Sequence, residues 1–516
     1  MARSEPSAVL IAGAGPTGLS LALFLAHQGI RPRIVERRSG PVEQSRALGV
    51  HARTLEFYRF LGIAEEAIEL GIPARDVRLM RDGEETTRFS IADMGEGISP
   101  YPFMLTLAQD VHERFLIEKL AEAGVTVEWD TRLVAHEADA RGVRATLRCG
   151  KRETVASARY LVRCDGGRSS VREGLGLAFE GGGNEGLFYV ADVLTDRPSH
   201  DLFAAMAEDT VSLMFPVRRA SGAQRLLGIV PPGLAGREDL DFEDVRHLPE
   251  RTLGVEVREL HWISTYRVQH RVAERFRVGR VFIAGDAAHV HSPVGGQGMN
   301  TGIGDAMNLA WKLAAVLRDE AEATLLDSYE PERIAFARKL IDTTDQAFGP
   351  MVSTGSWSAF LRSVVAPNAI RLATKLPGLP GILFRTVSQT RITYRDGPLG
   401  EGRAGEVHGG DRLPWIEDAG SRSNFEPLGA LDWQIHVYGS PGDALREAAR
   451  ALDLAVEVFD FTDEARRKGM ARDAIYLVRP DGHVGLALPD QDEAALRDYV
   501  RRHGLRAGTA APAPGG

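Results

Sequence analysis

The sequence predicts an α/β protein with a discontinuous, Rossmann-like nucleotide-binding domain, and three observations support this fold class. Near the N-terminus, an apolar strand leads through a glycine-rich turn into a helix and then into a second strand. Near residue 285, another apolar strand ends in a carboxylate, and a long helical pattern follows. The chain has 516 residues, which suffices for two or three domains with a sizeable core.

The N-terminal segment has the pattern of a dinucleotide-binding βαβ unit. Residues 8–12 are a short apolar run typical of a buried parallel strand. The G-x-G-x-x-G motif at 13–18 allows a tight turn, so that a pyrophosphate can lie on the N-terminus of the next helix. The second strand ends at Glu36, whose carboxylate can accept hydrogen bonds from ribose hydroxyls. Because Glu36 is acidic, the motif predicts FAD or NAD rather than NADP.

The segment around Gly285 has the features of a second part of the same site. The apolar strand at 281–284 is followed by Gly285-Asp286 and further small residues, and a helix is predicted from about Asn300 to Leu317. Glycines let a flat ligand approach the backbone, and the N-terminus of the helix directs unpaired N–H groups towards it. This arrangement suits a ring that becomes anionic when it is reduced.

Composition and charge disfavour several other classes of protein. Hydrophobic residues make up 44% of the chain and charged residues 26%, as in a globular protein, and the net charge of −9 disfavours nucleic-acid partners. No apolar run approaches the roughly 18 residues of a membrane span, and no signal peptide is recognised, which predicts a cytoplasmic protein without a membrane partner. Cys149 and Cys164 lack disulfide or metal spacing and are predicted to be core residues. No metal site is predicted.

A third motif lies between the two cofactor segments. A strand at 160–162 leads to Asp165-Gly166 and then to a basic stretch that can start a helix. Asp165, at the end of its strand, can form hydrogen bonds near a pyrophosphate. Alternatively, the motif is an ordinary Asp-Gly turn capped by Ser169, and the residues alone leave both interpretations open.

Taken together, the order and spacing of the three motifs resemble the single-component FAD-dependent aromatic hydroxylases. This family has the para-hydroxybenzoate hydroxylase fold and includes phenol-type and aromatic polyketide hydroxylases. The resemblance covers about residues 8–345 and is most specific over 279–312. It implies FAD-binding roles for Gly13, Gly15, Thr17, Gly18, Glu36, Arg37, Leu133, Asp165, Asp286, Pro293, Gly298, Met299 and Asn300.

Two further segments match the family. Arg46 lies in a loop whose arginine reaches FAD and, in some members, the reacting face, so Arg46 is the candidate catalytic residue. Gln109 begins a Gln-x-x-x-Glu helix whose glutamine touches the cofactor in the family. His51, Arg53 and His112 are interpreted as helix-face residues without a role in the site.

One position departs from the family pattern. Arg163 stands where a small residue, usually Gly, precedes the Asp-Gly motif. A long side chain there is expected to affect the docking of a nicotinamide cofactor near Asp165.

The resemblance also implies a division into domains. FAD binding is expected from 1–178 and 276–345, a substrate-binding β-sheet domain from 179–275, a helical connection from 346–395, a thioredoxin-like domain from 396–505 and a disordered tail from 506–516. In the substrate domain, Tyr189, Met214, Phe215 and Tyr266 could line an aromatic pocket, and Tyr266 or His270 could deprotonate a phenol. The C-terminal domain contains no cysteine and therefore no thiol redox chemistry.

The resemblance predicts an NAD(P)H-consuming FAD monooxygenase that hydroxylates an electron-rich phenolic or polycyclic polyketide substrate. In such enzymes O2 reacts through a flavin C4a-hydroperoxide. A Baeyer–Villiger or epoxidising monooxygenase on the same scaffold remains an alternative, and a flavin-binding protein without catalysis is another. The expected partner is a small aromatic molecule, and the protein is expected to be a monomer or a homodimer. The sequence does not choose between NADH and NADPH or among substrates.

Overall fold

The computed structural model describes residues 7–43, 47–167, 177–219, 222–234, 237, 240–290, 296–352, 376, 378–417 and 422–506. Its α-helices and β-strands are numbered below in chain order. The helices have the following bounds: α1 Pro16–His27, α2 Ala52–Phe60, α3 Ala64–Leu70, α4 Ile91–Gly95, α5 Gln109–Glu122, α6 Phe242–Leu253, α7 Gln297–Leu317, α8 Tyr329–Val352, α9 Leu379–Val387, α10 Asp443–Ala451, α11 Asp463–Arg467 and α12 Glu493–Arg502.

The first sheet confirms the discontinuous Rossmann-like domain. Its path is β17-β18-β11-β1-β2-β8, with β11, β1, β2, β8 and β18 parallel, while β10 and β9 extend it as an antiparallel meander. Because parallel strands end at the same edge, the segments after β1, β2, β11 and β18 lie close together there. The strands are β1 Ser7–Ala12, β2 Arg33–Val35, β8 Val127–Glu128, β9 Thr131–Ala138, β10 Val143–Cys149, β11 Arg152–Arg163, β17 Arg277–Val278 and β18 Val281–Ile283.

Two long helices cover one face of this sheet. Helix α1 is almost wholly apolar because it is buried between the sheet and α7, and its residues 18–25 are all buried. Helix α7 is buried along nearly its whole length and begins about one turn earlier than its pattern predicts. Its polar residues pair with one another and with α8 inside the core, which the hydropathy pattern does not show.

The second sheet combines strands from two distant parts of the chain. Its order is β19-β16-β12-β15-β14-β13-β5-β6, so two strands come from residues 76–90, well before the expected start at 179. Strand β5 pairs with β13 in parallel, a long-range contact that no local pattern indicates. The strands are β5 Asp76–Arg81, β6 Glu84–Ser90, β12 Phe179–Thr195, β13 Leu202–Met206, β14 Val211–Pro216, β15 Gln224–Ile229, β16 Val257–Ala273 and β19 His289–Val290.

The C-terminal domain has the predicted alternation of strands and helices. Its sheet has the order β21-β20-β25-β24-β22-β23, and a three-stranded sheet, β3-β7-β4, lies in the N-terminal part of the chain. The strands are β3 Gly49–Val50, β4 Ile72–Ala74, β7 Met104–Thr106, β20 Glu401–Ala404, β21 Val407–His408, β22 Gln434–Tyr438, β23 Ala455–Phe459, β24 Ile475–Val478 and β25 Val484–Leu488. The tail expected to be disordered lies, from residue 507, outside the described residues.

The two cysteines, both predicted to be core residues, differ in burial. Cys164 is buried as predicted, but the core assignment of Cys149 is wrong, because Cys149 ends β10 at a solvent-exposed hairpin.

Among the described helices, none is long and apolar enough to span a membrane.

Candidate functional site

A cavity of about 1040 Å³ lies where the two sheets meet. One part, here called the nucleotide compartment, is lined by the strand ends of the first sheet and by the N-terminus of α7. The other part, here called the apolar chamber, is lined by the second sheet, α4 and α9. The nucleotide compartment contains these residues proposed from the sequence: Gly13, Gly15, Thr17, Glu36, Arg37, Gln109, Leu133, Asp165, Asp286, Gly298 and Met299.

The glycine turn after β1 is shaped by very close backbone packing. Gly13 has a φ of 111°, and a Cβ there would lie 2.3 Å from the carbonyl oxygen of Cys164. A Cβ on Gly18 would lie 1.9 Å from the carbonyl oxygen of Gly13. Gly18 therefore does not line the cavity but lets α1 approach the turn. Gly15 caps α1 without a side-chain hydrogen bond and has open space on its Cβ side, so the positive end of α1 faces the nucleotide compartment.

Glu36 has a structural contact as well as a cavity-facing position. Its Oε2 accepts a hydrogen bond from the backbone N–H of Ala14 at 2.8 Å, and its Oε1 accepts one from the N–H of Arg38 at 3.1 Å. The carboxylate thereby fixes the glycine turn relative to β2. Arg37 is exposed beside it, and Gln109 donates to Glu113 Oε1 at 2.9 Å.

Asp286 lies in a short 3-10 turn, Gly285–Ala287, that a buried carboxylate holds in place. Asp305 on α7 accepts hydrogen bonds from the N–H of Gly285 at 2.9 Å and from Arg333 Nε at 2.6 Å, and it lies 2.7 Å from His289 Nε2. Burial alone would raise the pKa of Asp305, but Arg333 and His289 lower it to about 2. Asp305 is thus ionised, and it anchors the turn that presents Asp286.

The Asp286 carboxyl group is accessible from the cavity although protein surrounds it closely. The surrounding protein removes much of the water around the Asp286 carboxyl group and thereby raises its pKa. His289 opposes this shift in pKa, and Asp305 adds to it. A hydroxyl-rich ligand in the cavity would offer donors to this carboxylate.

The N-terminus of α7 opens into the same compartment. Gly296 caps the helix in the left-handed conformation, with φ 63°, and no side chain caps this end. Asn300 does not line the cavity, because its side chain is used elsewhere: Oδ1 accepts from the N–H of His51 and from Thr54 Oγ1, while Nδ2 donates to the carbonyls of Gly49 and Gly296. Asn300 therefore joins α7 to the segment before α2. Arg46 and Pro293 lie outside the described residues.

The apolar chamber is lined mainly by hydrophobic side chains. Phe215 and Leu213 face it, whereas Met214 and Tyr189 lie in the core between the sheet and α6, as the alternation of a strand requires. Tyr266 lines the cavity and stacks on Phe188. The remaining apolar lining consists of Val77, Phe89, Ile91, Met94, Phe103, Met104, Leu202, Phe203, Ala204, Leu227, Leu383, Phe384 and Val387.

Helix α9 is a wall of the chamber that sequence reasoning missed. The carbonyl of Val387, at its C-terminus, accepts a hydrogen bond from Gln297 Nε2 at 2.8 Å, and Gln389 Nε2 donates to Gln297 Oε1 at 2.6 Å. These bonds tie the chamber wall to the N-terminus of α7. The helical connection expected over 346–395 includes this helix, but its position beside the cavity depends on contacts more than 80 residues away in the chain.

Two buried arginines were also missed. Arg225 lines the cavity, and its Nε and Nη2 donate to Asp192 at 2.7 and 2.9 Å. Arg53 was interpreted as a helix-face residue without a role, yet it is 2% exposed and its Nη2 donates to the carbonyl of Asp481 at 2.7 Å. Its backbone N–H also donates to Ser388 at 3.2 Å. Arg53 thus connects the C-terminal domain with the end of α9.

His51 and His112, interpreted in the same way, have different positions. His51 is buried and lines the cavity. His112 is buried under the sheet with its Nε2 2.7 Å from Tyr58 Oη, and burial lowers its pKa to about 4. His270, considered above as a base, is buried and does not line the cavity.

The residues present fit FAD in three respects. The cavity is larger than a single small ligand commonly requires, and two helix N-termini without side-chain caps face it, which favours anionic groups. Among the described residues, Arg163 Nε, Arg163 Nη1 and Asp165 Oδ1 are buried polar atoms without a hydrogen-bond partner beside this cavity. Fold and cavity together fit a dinucleotide-binding protein.

Comparisons with known proteins specify the class. A family described as FAD binding domain matches residues 6–344, and one described as Aromatic-ring hydroxylase, C-terminal, matches residues 410–504. The chain therefore belongs to the FAD-dependent aromatic-ring hydroxylases and is a flavoprotein monooxygenase.

Individual relatives match most of the chain. The 6-methylpretetramide 4-monooxygenase of Streptomyces rimosus is 35% identical, over 97% of this chain and 91% of the relative. The pentachlorophenol 4-monooxygenase of Sphingobium chlorophenolicum is 33% identical, over 80% and 77%. The solved ternary complex of aklavinone-11 hydroxylase with FAD and aklavinone superimposes with a TM-score of 0.78 at 28% identity, covering 98% of this chain and 100% of that one.

Proposed function

We propose that the protein uses NAD(P)H and O2 to hydroxylate an electron-rich aromatic compound of the phenolic or polycyclic polyketide class. The observation that carries this proposal is one continuous cavity in which a polar nucleotide compartment opens directly into an apolar, aromatic-lined chamber. Relatives named as acting on a pretetramide and on pentachlorophenol support the substrate class. In the overall reaction one oxygen atom enters the ring as hydroxyl, the other leaves as water, and NAD(P)H supplies two electrons.

The cofactor-facing residues then have distinct tasks. Bound FAD supplies the chemistry that transfers electrons from NAD(P)H to O2. The turn at Gly13 and Gly15 and the N-terminus of α1 receive the pyrophosphate, while Asp286 accepts hydrogen bonds from the ribityl hydroxyls. The N-terminus of α7, at Gly298 and Met299, stabilises negative charge on the ring system. Pro293 and Arg46 are proposed as further FAD contacts because the matching positions of the family have this role.

The chamber's task is to orient the substrate and keep water away. Its wall of aromatic and aliphatic side chains suits a flat apolar ring system. Exclusion of water from the chamber limits side reactions in which oxygen is lost as hydrogen peroxide instead of reaching the substrate. Arg225 is a buried cation at this wall, and its guanidinium pairs with the Asp192 carboxylate.

Cofactor retention tests the site. Purified D286A is expected to lose flavin absorbance relative to protein absorbance, because the carboxylate that faces the cavity is removed. The matched control is D327A, whose carboxylate is 71% exposed and pairs with Arg277 at the surface. Equal flavin content in the two variants would contradict the assigned role of Asp286.

The reaction itself is tested with 18O2. FAD-loaded enzyme is supplied with NADH or NADPH and a panel of phenols and polycyclic aromatics, and products are analysed by mass spectrometry. A new ring hydroxyl carrying one 18O atom is expected. An ester with an inserted 18O atom would instead indicate the Baeyer–Villiger alternative, and the absence of O2 consumption across the panel would contradict hydroxylation.

A further inference from the structure

Arg163 occupies an unusual position beside the nucleotide compartment. It is the last residue of β11, between Ala12 of β1 and Ile283 of β18 in the sheet, and it is 1% exposed. The next residue, Cys164, packs its carbonyl against Gly13, so this strand end touches the glycine turn.

The guanidinium group of Arg163 is only partly satisfied by the protein. Its Nη2 donates to Asp165 Oδ2 at 2.9 Å. Within the part of the chain that the structure describes, Nε and Nη1 have no acceptor, and Asp165 Oδ1 has no donor. Burial lowers the pKa of Arg163 to about 10, although Asp165 acts to raise it. The group is therefore still a cation at neutral pH, with two donors that need acceptors.

The surroundings indicate where these acceptors come from. Arg163 itself lines the cavity, together with Ala12, its register partner on β1, and with Gly13 and Asp165, which follow the ends of β1 and β11. The apolar chamber lies on the other sheet. A buried donor left unpaired is destabilising, so a ligand with oxygen or nitrogen acceptors is expected at this wall.

We propose that Arg163 donates hydrogen bonds from Nε and Nη1 to the ADP half of bound FAD. This inference rests on the proposed cofactor site. In this arrangement Arg163 neutralises Asp165 and contributes a charge-assisted contact to the nucleotide, a role that glycine at this position cannot have. The acceptor is either a phosphate oxygen or an atom of the adenosine group.

The dissociation constant of FAD, measured by fluorescence titration of the apoprotein, tests the proposal. R163Q is expected to raise the constant about tenfold, since hydrogen bonds to charged groups are roughly twice as strong as neutral ones. The matched control is R144Q on the neighbouring strand β10, whose guanidinium is 71% exposed and pairs with Glu137 at the surface. R163G is a second variant in case the buried glutamine impairs folding.

Two further measurements distinguish a direct contact from an effect transmitted through Asp165 and locate the acceptor. In a D165N background, R163Q must still weaken FAD binding, because an effect that acts only through Asp165 disappears there. Titration with ADP, AMP and adenosine then identifies the acceptor: a loss seen with all three places it on adenosine, and a loss confined to ADP or AMP places it on phosphate.

Three results would overturn the proposal. These are an unchanged constant in both R163Q and R163G, an effect abolished by D165N, and a loss for FAD without any loss for ADP. The FAD titration of the wild-type protein distinguishes failure of the proposed function from failure of the Arg163 assignment. If the wild-type protein binds FAD tightly but oxidises no aromatic compound, the proposed function fails while the assignment of Arg163 is tested as before.

Discussion

Two buried, charged regions of this protein differ in how completely their polar atoms are paired. At the nucleotide compartment, Arg163 has one ion pair and two donors without an acceptor among the described residues. Between the first sheet's helices and the C-terminal domain lies an ionic cluster of four fully buried groups, Lys312, Glu332, Arg479 and Asp481. There Arg479 donates to Glu332 at 2.8 and 3.0 Å and to Asp481 at 3.1 and 2.6 Å.

The comparison shows that burial of charge does not by itself mark a functional site. Both regions contain buried arginines. In the ionic cluster every guanidinium nitrogen of Arg479 donates to a carboxylate within the chain, so the cluster joins domains and is satisfied by the protein itself. Beside the cavity, two donors of Arg163 have no acceptor among the described residues, and a buried unsatisfied group of this kind requires an explanation such as a bound ligand.

The largest effect is expected from breaking the ionic cluster. R479L leaves Glu332 and Asp481 with fewer partners in a buried environment, and the loss should be about 3 to 5 kcal/mol of folding free energy. The measurement is the urea midpoint of the apoprotein. R148Q is the control, because Arg148 and Glu153 are both about half exposed and such pairs contribute little. Equal midpoints for the two variants would mean that the cluster does not hold the domains together.

Acid should weaken the same cluster through Glu332. Burial would raise the pKa of this carboxyl, but Arg479 and Lys312 lower it from 4.5 to about 2. A carboxyl whose pKa is depressed in the folded state stabilises the protein above its unfolded pKa, and this contribution falls as pH drops from 4.5 towards 2. Between pH 5 and pH 3 the advantage of wild type over E332Q should therefore shrink by about 2 kcal/mol. A constant advantage would argue against an ionised, paired Glu332.

The smallest effect is expected in the apolar chamber. F384A removes a ring that lines the cavity and packs on Gly95, where an added Cβ would be 2.6 Å from that ring. Because only part of the ring can touch substrate, KM should rise about tenfold, while the FAD dissociation constant stays unchanged. I382A, on the same helix but 46% exposed, is the control. A change in FAD affinity for F384A would contradict the division of the cavity into two parts.

Local patterns predicted the parts of the site that depend on neighbouring residues. The strand-turn-helix pattern around Gly13 and the strand end before Asp286 were sufficient to place both at one sheet edge. Contacts between distant segments were not predictable in this way. Strand β5 pairs with β13, which lies more than 100 residues later in the chain. Helix α9 is held beside the cavity by a hydrogen bond from Gln297.

The contacts of individual side chains with distant segments were likewise not predictable from local sequence. Nothing in the sequence around Arg53 indicates that its partner is the carbonyl of Asp481. Arg163 could be recognised as a departure from the family, but its ion pair and unpaired donors are visible only in three dimensions. The core assignment of Cys149 failed because one residue at a hairpin end can face either side of the sheet.

Thermal melting of apoprotein and FAD-loaded protein, for wild type, R163Q and R479L, tests the central comparison most directly. R479L should melt well below wild type in both states and keep the full stabilisation by FAD. R163Q should melt close to wild type as apoprotein but lose about 1.4 kcal/mol of FAD stabilisation, which corresponds to tenfold weaker binding. The account is contradicted if R163Q keeps the full stabilisation by FAD while R479L loses it.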